Sequence, residues 1–122
     1  MVEVRLSTEA DADILDILTK TYADFGGDAL LRYECLIVTA PSDLAVLNWR
    51  HGVVSRPELG PGIHSYHLRH SRDRARHLTG IVRRPRHFIL YRRVMPELIG
   101  VGRILHDAME LERHLPFSYG DE

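Results

Sequence analysis

Two apolar runs joined by a short turn constrain the fold of this chain more than any other feature. The first run, Phe88 to Tyr91, is apolar on both alternating faces, as expected for a strand inside a sheet. Met95-Pro96-Glu97 suits a tight turn, because proline presets its backbone angle and needs no ladder hydrogen bond. The second run, Leu98 to Leu105, again has the length of a strand. The pattern predicts a β-hairpin.

The sequence after the hairpin changes to helical spacing. Met109 to Leu115 predicts one or two helical turns, which Pro116 stops because proline cannot continue a helix. This short C-terminal helix follows directly from the second strand of the hairpin. We therefore expect the hairpin and the short helix to form one unit that the upstream chain covers.

The N-terminal part predicts one strand and one helix. Val2, Val4 and Leu6 alternate with polar residues, which indicates a strand. Ser7 or Thr8 suits a helix cap, and apolar residues then recur at three- and four-residue steps. Gly26-Gly27 is the expected end of this helix, since glycine adopts a left-handed cap conformation without steric cost.

A second helix is predicted to start near Asp28. Leu31, Cys35 and Val38 are spaced to line one side of it. Pro41 is expected to kink or break the helix, with continuation from Ser42 to Trp49. Two helices joined by a glycine turn form an antiparallel hairpin that can cover one face of a sheet.

The remaining segments predict a loop, a strand and an insertion. Val53 to Gly62 contains two prolines and two glycines and indicates a loop, Ile63 to His70 indicates a strand, and the polar, basic stretch Ser71 to Arg84 indicates a long hairpin insertion. The 122 residues are expected to form a single domain. Its predicted class is α+β, with an N-terminal strand, an antiparallel two-helix hairpin on a twisted, mainly antiparallel sheet, and a short C-terminal helix.

The net charge of −1 conceals a strong segregation of charge along the chain. Residues 1–49 carry three basic and nine acidic side chains, residues 50–103 carry twelve arginines and three acids, and residues 104–122 carry one arginine and five acids. Arginine suits two-point contacts with phosphate or carboxylate groups. The basic middle therefore predicts a surface that meets an acidic partner, or else a solvated face.

The predicted sheet has more apolar surface than one helical hairpin can cover. The hairpin covers one face, which leaves the other to the short C-terminal helix and to whatever binds there. This pattern predicts a protein partner that supplies an apolar segment, such as a helix in a groove. The alternative is that the tail and the basic insertion fold back and cover that face themselves.

Candidate chemistry is limited. His64, His67 and His70 form an HxxHxxH series, but strand alternation turns His67 away from the other two, so we expect no metal site. A nuclease would need arginines at the phosphate and His106 as the general acid or base. Because alternation places His106 and Arg103 on opposite faces, the two converge only across a bulge.

Composition predicts a cytoplasmic protein. Cys35 is the only cysteine, so an internal disulfide is impossible. The sequence does not open with a charged and then apolar leader, and no run approaches the roughly 18 apolar residues that span a bilayer.

Three stretches resemble the ParE toxins, the toxin half of bacterial ParD–ParE toxin–antitoxin pairs in the RelE/ParE superfamily. They are LSTEADADILDILTKTYADFG in the first helix, PGIHSYHLRHSR with PRHFILYRR in the sheet, and VGRILHDAMELERHL at the end. The resemblance implies a helical hairpin against a twisted antiparallel sheet. It also implies a growth-inhibiting protein that blocks DNA gyrase without a cofactor or catalysis, neutralised by a small ParD-like antitoxin.

The resemblance leaves two alternatives open. RelE-type relatives cut messenger RNA on the ribosome, and here His106, Arg103 and Arg86 would be the catalytic residues. Against this, the only lysine, Lys20, is far from the sheet, and the C-terminal helix offers no tyrosine before Tyr119. The other alternative is an inactive module that binds an antitoxin.

The resemblance also suggests which residues bind partners. His106, Arg113 and His114 are the expected contacts with the target. The expected contacts with the antitoxin are three arginines that meet its carboxylates and five apolar residues of the hairpin and tail: Arg86, Arg92, Arg103, Ile99, Val101, Leu105, Met109 and Leu111.

Overall fold

The computed structural model describes residues 2–46 and 51–120, which form a five-stranded sheet with two helices against one face. The strands are β1 (Glu3–Leu6), β2 (Val53–Ser55), β3 (Ile63–His67), β4 (His87–Met95) and β5 (Leu98–His106). The helices are α1 (Thr8–Phe25) and α2 (Gly27–Val46). This arrangement confirms the predicted α+β class, with its N-terminal strand and helical hairpin.

Helix α1 begins and ends at the predicted capping residues. The Ser7 hydroxyl oxygen accepts a hydrogen bond from the Ala10 backbone N–H at 3.0 Å, and the hydroxyl donates to the Gly102 carbonyl at 2.6 Å. The same side chain therefore caps the helix and attaches it to β5. Gly26 ends the helix at φ 89°, and its N–H donates to the Tyr22 carbonyl.

Helix α2 packs on the sheet through a different face from the predicted one. Leu31 and Val38 are exposed, and Cys35 is only partly buried. The buried face consists of Tyr33, Leu36, Ile37, Ala40 and Leu44. The prediction was wrong because both spacings fit a helical stripe, and the sequence alone does not tell which stripe meets the sheet.

Pro41 lies inside α2, and the helix continues through it to Val46 instead of breaking. Leu36, Ile37 and Leu44 are buried on both sides of the proline. Their burial offsets the loss of one backbone hydrogen bond. The expected continuation to Trp49 falls on residues 47–50, which lie outside the described residues.

The strand order is β1-β5-β4-β3-β2, with β1 parallel to β5 and every other neighbouring pair antiparallel. β2 occupies part of the predicted loop Val53–Gly62. This edge strand has only three residues, two of them exposed, so it lacks the apolar alternation that marks a buried strand. β3 is shorter than predicted, because a 3-10 helix begins at Leu68.

Two further segments differ from expectation. The 3-10 helix Leu68–Arg74 occupies the start of the predicted insertion and buries Ser71, whose hydroxyl donates to the Asp43 carboxylate at 2.6 Å. The first residue of the insertion is therefore hydrogen-bonded to α2. The predicted C-terminal helix is a single 3-10 turn, Leu111–Arg113, because Pro116 leaves too few residues for a stable α-helix.

The chain's own tail covers the second face of the sheet at β5 and at parts of β3 and β4. A Cβ atom at Gly100 would overlap the Tyr119 carbonyl oxygen, and one at Gly102 would overlap Pro116 and the Tyr119 ring. Tyr119 also forms a buried cluster with residues of β3 and β4. From Leu98 to Leu105 only Arg103 is not fully buried. The expected bare face is therefore absent from β5 in the described structure, and the argument for a partner loses that support.

The core lies between the helical hairpin and the sheet. It contains Ala10 and Ile17 from α1, the buried face of α2, and Tyr66, Ile89 and Val101 from the central strands. Among the described residues, neither helix combines the length and apolar character needed to cross a bilayer.

Candidate functional site

Three histidines meet at one end of the sheet. His67 ends β3, His87 begins β4 and His106 ends β5. Antiparallel pairing brings these three positions to the same end of the sheet. His87 lies directly opposite His106, and their ring centroids are 5.3 Å apart at an interplanar angle of 82°. Asp107, the residue that follows β5, lies at the same end of the sheet.

Asp107 connects the edge histidines to an arginine. Its carboxylate accepts hydrogen bonds from His67 Nε2 at 3.0 Å and from Arg86 Nε and Nη2 at 3.1 and 3.0 Å. His67 Nδ1 accepts the Arg69 backbone N–H, so the hydrogen on this ring is at Nε2. Burial lowers the pKa of His67, despite the hydrogen bond to Asp107. Burial opposes ionisation of Asp107, but His67 and Arg86 together hold its pKa below the usual value.

A tyrosine from α2 completes the site. The Tyr33 hydroxyl is hydrogen-bonded to His87 Nδ1 and accepts the Arg86 backbone N–H at 3.1 Å. Burial raises the pKa of Tyr33 to about 12 and lowers the pKa of His87 to about 4, with His106 adding to the second effect. At neutral pH the phenol therefore donates to an uncharged imidazole, which makes this pair a fixed, neutral contact.

His106 is the accessible member of the group. Its side chain is 40% exposed, and its Nδ1 accepts the Ala108 backbone N–H at 3.0 Å. In the neutral ring this places the hydrogen on Nε2. Chemically, His106 can act as a proton donor or acceptor toward a ligand, with His87 beside it as a neutral hydrogen-bonding group.

Arg103 does not join this group. Its guanidinium binds Asp13 through Nε and Nη2 at 2.8 and 2.9 Å, and Nη1 lies 3.4 Å from Glu9. The hydrogen bond with Asp13 raises the pKa of Arg103. Of the two register shifts in the β4–β5 pairing, the one between Leu90/Tyr91 makes Gly102 the extra residue of β5, which precedes Arg103. Arg103 and His106 line the same cleft, but the guanidinium of Arg103 is held by Asp13 and Glu9 of α1.

The residues predicted to bind an antitoxin divide between core and surface. Ile99, Val101 and Leu105 are 1%, 0% and 2% exposed, so their side chains are not available to a partner in this structure. Met109 is exposed and Leu111 is partly exposed. That these residues bind a partner stays a prediction, and it now applies to Met109 and Leu111, whose side chains are accessible.

The predicted arginines are also engaged within the chain. Arg86 binds Asp107, Arg103 binds Asp13, and the Arg92 guanidinium carbon lies 5.0 Å from the centroid of the Tyr119 ring. A partner's carboxylates would have to compete with these contacts.

The predicted target contacts lie at the C-terminal end of the same region. Arg113 is exposed and pairs with Glu110 at 2.8 Å, and His114 follows the 3-10 turn. Together with His106 they lie within nine residues of one another in sequence, at the end of β5 and just after it. Their role in target binding stays a prediction.

The HxxHxxH series does not converge on a metal. His64 stacks on Tyr91 with ring centroids 5.5 Å apart, His67 binds Asp107, and His70 packs on Tyr66. Within residues 2–46 and 51–120, no group of three or more histidine, cysteine or carboxylate side chains is arranged to hold a metal ion.

Sequence reasoning missed Tyr33, His87 and Asp107. The pairing of His87 with His106 could have been found, because each borders one of the two apolar runs and a hairpin aligns those ends. Tyr33 gives no such signal, since its place depends on which face of α2 meets the sheet.

Comparison with known proteins supplies no family: no family model matches the chain, and no curated protein matches it significantly.

Proposed function

We propose that this chain is a cytoplasmic toxin of a bacterial type II toxin–antitoxin system, which inhibits DNA gyrase, stalls replication and is neutralised by a ParD-like antitoxin. The observation that carries this proposal is the ParE-like segment from Arg103 to Leu115. It forms the end of β5 and the turn after it, in a fold with the element order and helical hairpin that the resemblance implies.

The geometry favours a binding protein over a catalyst. A ribonuclease needs free cations at the scissile phosphate. Of the arginines proposed for that role, Arg103 is neutralised by Asp13 and Glu9, and Arg86 by Asp107. His106 remains accessible as a polar group that can contact a target protein, and Arg86 is exposed although Asp107 pairs with its charge.

Expression in cells tests this proposal. Induction of the chain should arrest growth, with double-strand breaks in the chromosome and intact transcripts. Co-expression of a small ribbon-helix-helix protein encoded directly upstream should restore growth. Growth that continues without such a protein would support the inactive antitoxin-binding module instead.

A ribosome-dependent messenger RNA endonuclease is the second candidate, and one observation favours it. The imidazole of His106 is accessible at one end of the sheet, near Arg86, whose guanidinium is exposed although it pairs with Asp107. Under this alternative His106→Ala abolishes transcript cleavage and toxicity together. The matched variant His51→Ala, at an exposed histidine outside this site, should retain both.

A further inference from the structure

A cleft of about 1440 Å³ lies between the helical hairpin, residues 76–87 and the end of β5 with His106, and its charges are unbalanced. Seven basic and three acidic side chains line it, a surplus of four positive charges. Two of the acids are matched inside the cleft, because Asp13 binds Arg103 and Asp24 binds Lys20. Arg86 pairs with Asp107 and Arg32 donates to Thr79, which leaves the three arginines of the outer wall.

Arg76, Arg83 and Arg84 form that wall. All three are exposed, and none makes a side-chain hydrogen bond or ion pair within the described ranges 2–46 and 51–120. Like charges held close together repel each other, and an anion relieves this repulsion. Guanidinium groups also match the oxygen geometry of a phosphate group.

The backbone that carries these arginines is held in place. Arg32 of α2 donates from Nη1 to the Thr79 hydroxyl at 3.1 Å, and Arg72 donates to the Arg83 carbonyl at 3.0 Å. His77 and Gly80 pair through two backbone hydrogen bonds. These contacts restrain the backbone that carries the three arginines, which lowers the entropic cost of binding.

The floor of the cleft mixes apolar and polar groups. Phe25 is 76% exposed at the rim, and Ile17, Ile81 and Val82 supply apolar surface. The Tyr33–His87 pair interrupts this surface. An acidic amphipathic helix would need a continuous apolar stripe, whereas nucleobases offer flat faces for stacking and polar edges for hydrogen bonds.

We propose that this cleft binds single-stranded nucleic acid, with backbone phosphates on Arg76, Arg83 and Arg84 and a base stacked on Phe25. The inference goes beyond the function proposed above and does not depend on gyrase being the target. It also gives the basic segment a role that the ParE resemblance does not assign.

Fluorescence anisotropy with labelled 12-nucleotide oligo(dT) and oligo(U) tests the proposal on the full chain. The test variant combines Arg76→Gln, Arg83→Gln and Arg84→Gln. The matched control combines Arg5→Gln, Arg69→Gln and Arg93→Gln, which removes the same charge from residues outside the cleft.

Salt dependence gives the sharpest prediction. Each single-strand phosphate contact contributes roughly 0.7 to the slope of log affinity against log salt, so losing three lowers the slope by about 2. Between 50 and 200 mM salt the wild type should therefore lose roughly 20-fold more affinity than the test variant. The control should keep the wild-type slope, and Phe25→Ala should weaken binding about tenfold.

Several outcomes would overturn the proposal. These are equal slopes for the wild type and the test variant, an equal loss in the control, displacement of the oligonucleotide by an equal concentration of 12-residue polyglutamate, or tighter binding of duplex DNA. Thermal melting confirms that each variant is folded. If the triple variant fails to fold, Arg83→Gln alone should lower the slope by about 0.7, and an unchanged slope would refute the proposal.

Discussion

Arg103 of β5 and Asp13 of α1 form a two-point ion pair at the place where the first strand of the sheet stops. β1 ends at Leu6, opposite Val101, so the next stretch of β5 pairs with β4 on one side and has no strand on the other. There the Asp13 carboxylate binds the Arg103 guanidinium at 2.8 and 2.9 Å and accepts the Ile104 backbone N–H at 2.9 Å. A side chain of the helix thus replaces the missing strand.

Removing this carboxylate should destabilise the fold. Asp13→Ala leaves the partly buried guanidinium with only Glu9, 3.4 Å from Nη1, and leaves the Ile104 backbone N–H without its acceptor, so we expect a loss of about 2–3 kcal/mol in the free energy of unfolding. Urea unfolding followed by circular dichroism measures it. The matched control is Glu3→Ala, whose partner Arg5 is exposed, and it should leave the unfolding midpoint nearly unchanged. Equal effects of the two changes would contradict the role assigned to Asp13.

The contact between the tail and β5 predicts a glycine requirement. Gly100→Ala places a methyl group against the Tyr119 backbone, so the tail should detach and its C-terminal residues should become sensitive to protease. The melting temperature should fall as well. Gly27→Ala is the control, since its methyl group would meet only the Tyr22 ring at 3.9 Å, in ordinary contact at the start of α2. A protected tail in Gly100→Ala would show that this face is not closed by residues 116–120.

The hairpin and the caps were predictable from the sequence, because local rules determine them. The runs that begin at Phe88 and Leu98 form paired strands. Ser7 and Gly26 cap the two ends of α1, as their chemistry predicts. The coverage of the second sheet face was not predictable. It depends on Gly100, where the absence of a side chain admits the tail, and glycine in a strand pattern does not say what approaches it.

The candidate site was only half predictable for a similar reason. His106 was chosen from its place after an apolar run, but its partner His87 required the pairing register, and Tyr33 required the orientation of α2. Arg103 was expected to face a partner or a phosphate, and Asp13 binds it instead. An arginine that looks available from the local sequence pattern can therefore already be bound by a side chain from a distant part of the chain.

Acid should destabilise the protein over a defined range. The pKa of His87 falls from 6.5 to about 4 on folding, so the unfolded chain binds more protons than the folded chain between these pH values. The stability that His87 contributes by staying neutral is fully present above about pH 6.5, and it is lost as the pH falls toward 4. His67 acts in the same direction, and the lowered pKa of Asp107 adds a further loss at still lower pH.

The change at His87 can be isolated by substitution. His87→Asn keeps an acceptor for the Tyr33 hydroxyl but cannot be protonated, so the slope of the unfolding free energy against pH should fall by about 1.1 kcal/mol per pH unit between pH 6 and 4.5. Urea unfolding at a series of pH values measures this slope. His51→Asn, at an exposed histidine, should keep the wild-type slope. An unchanged slope in His87→Asn would contradict the assigned burial of this imidazole.

The proposal that this chain is a gyrase toxin is tested most directly by incubating the purified protein with DNA gyrase and supercoiled plasmid, then denaturing the enzyme and measuring linear DNA. We predict that linear plasmid accumulates at stoichiometric amounts of the chain, and that His106→Ala reduces this accumulation if His106 contacts the target. If the plasmid remains uncleaved and gyrase keeps supercoiling at its normal rate, the proposed function is contradicted.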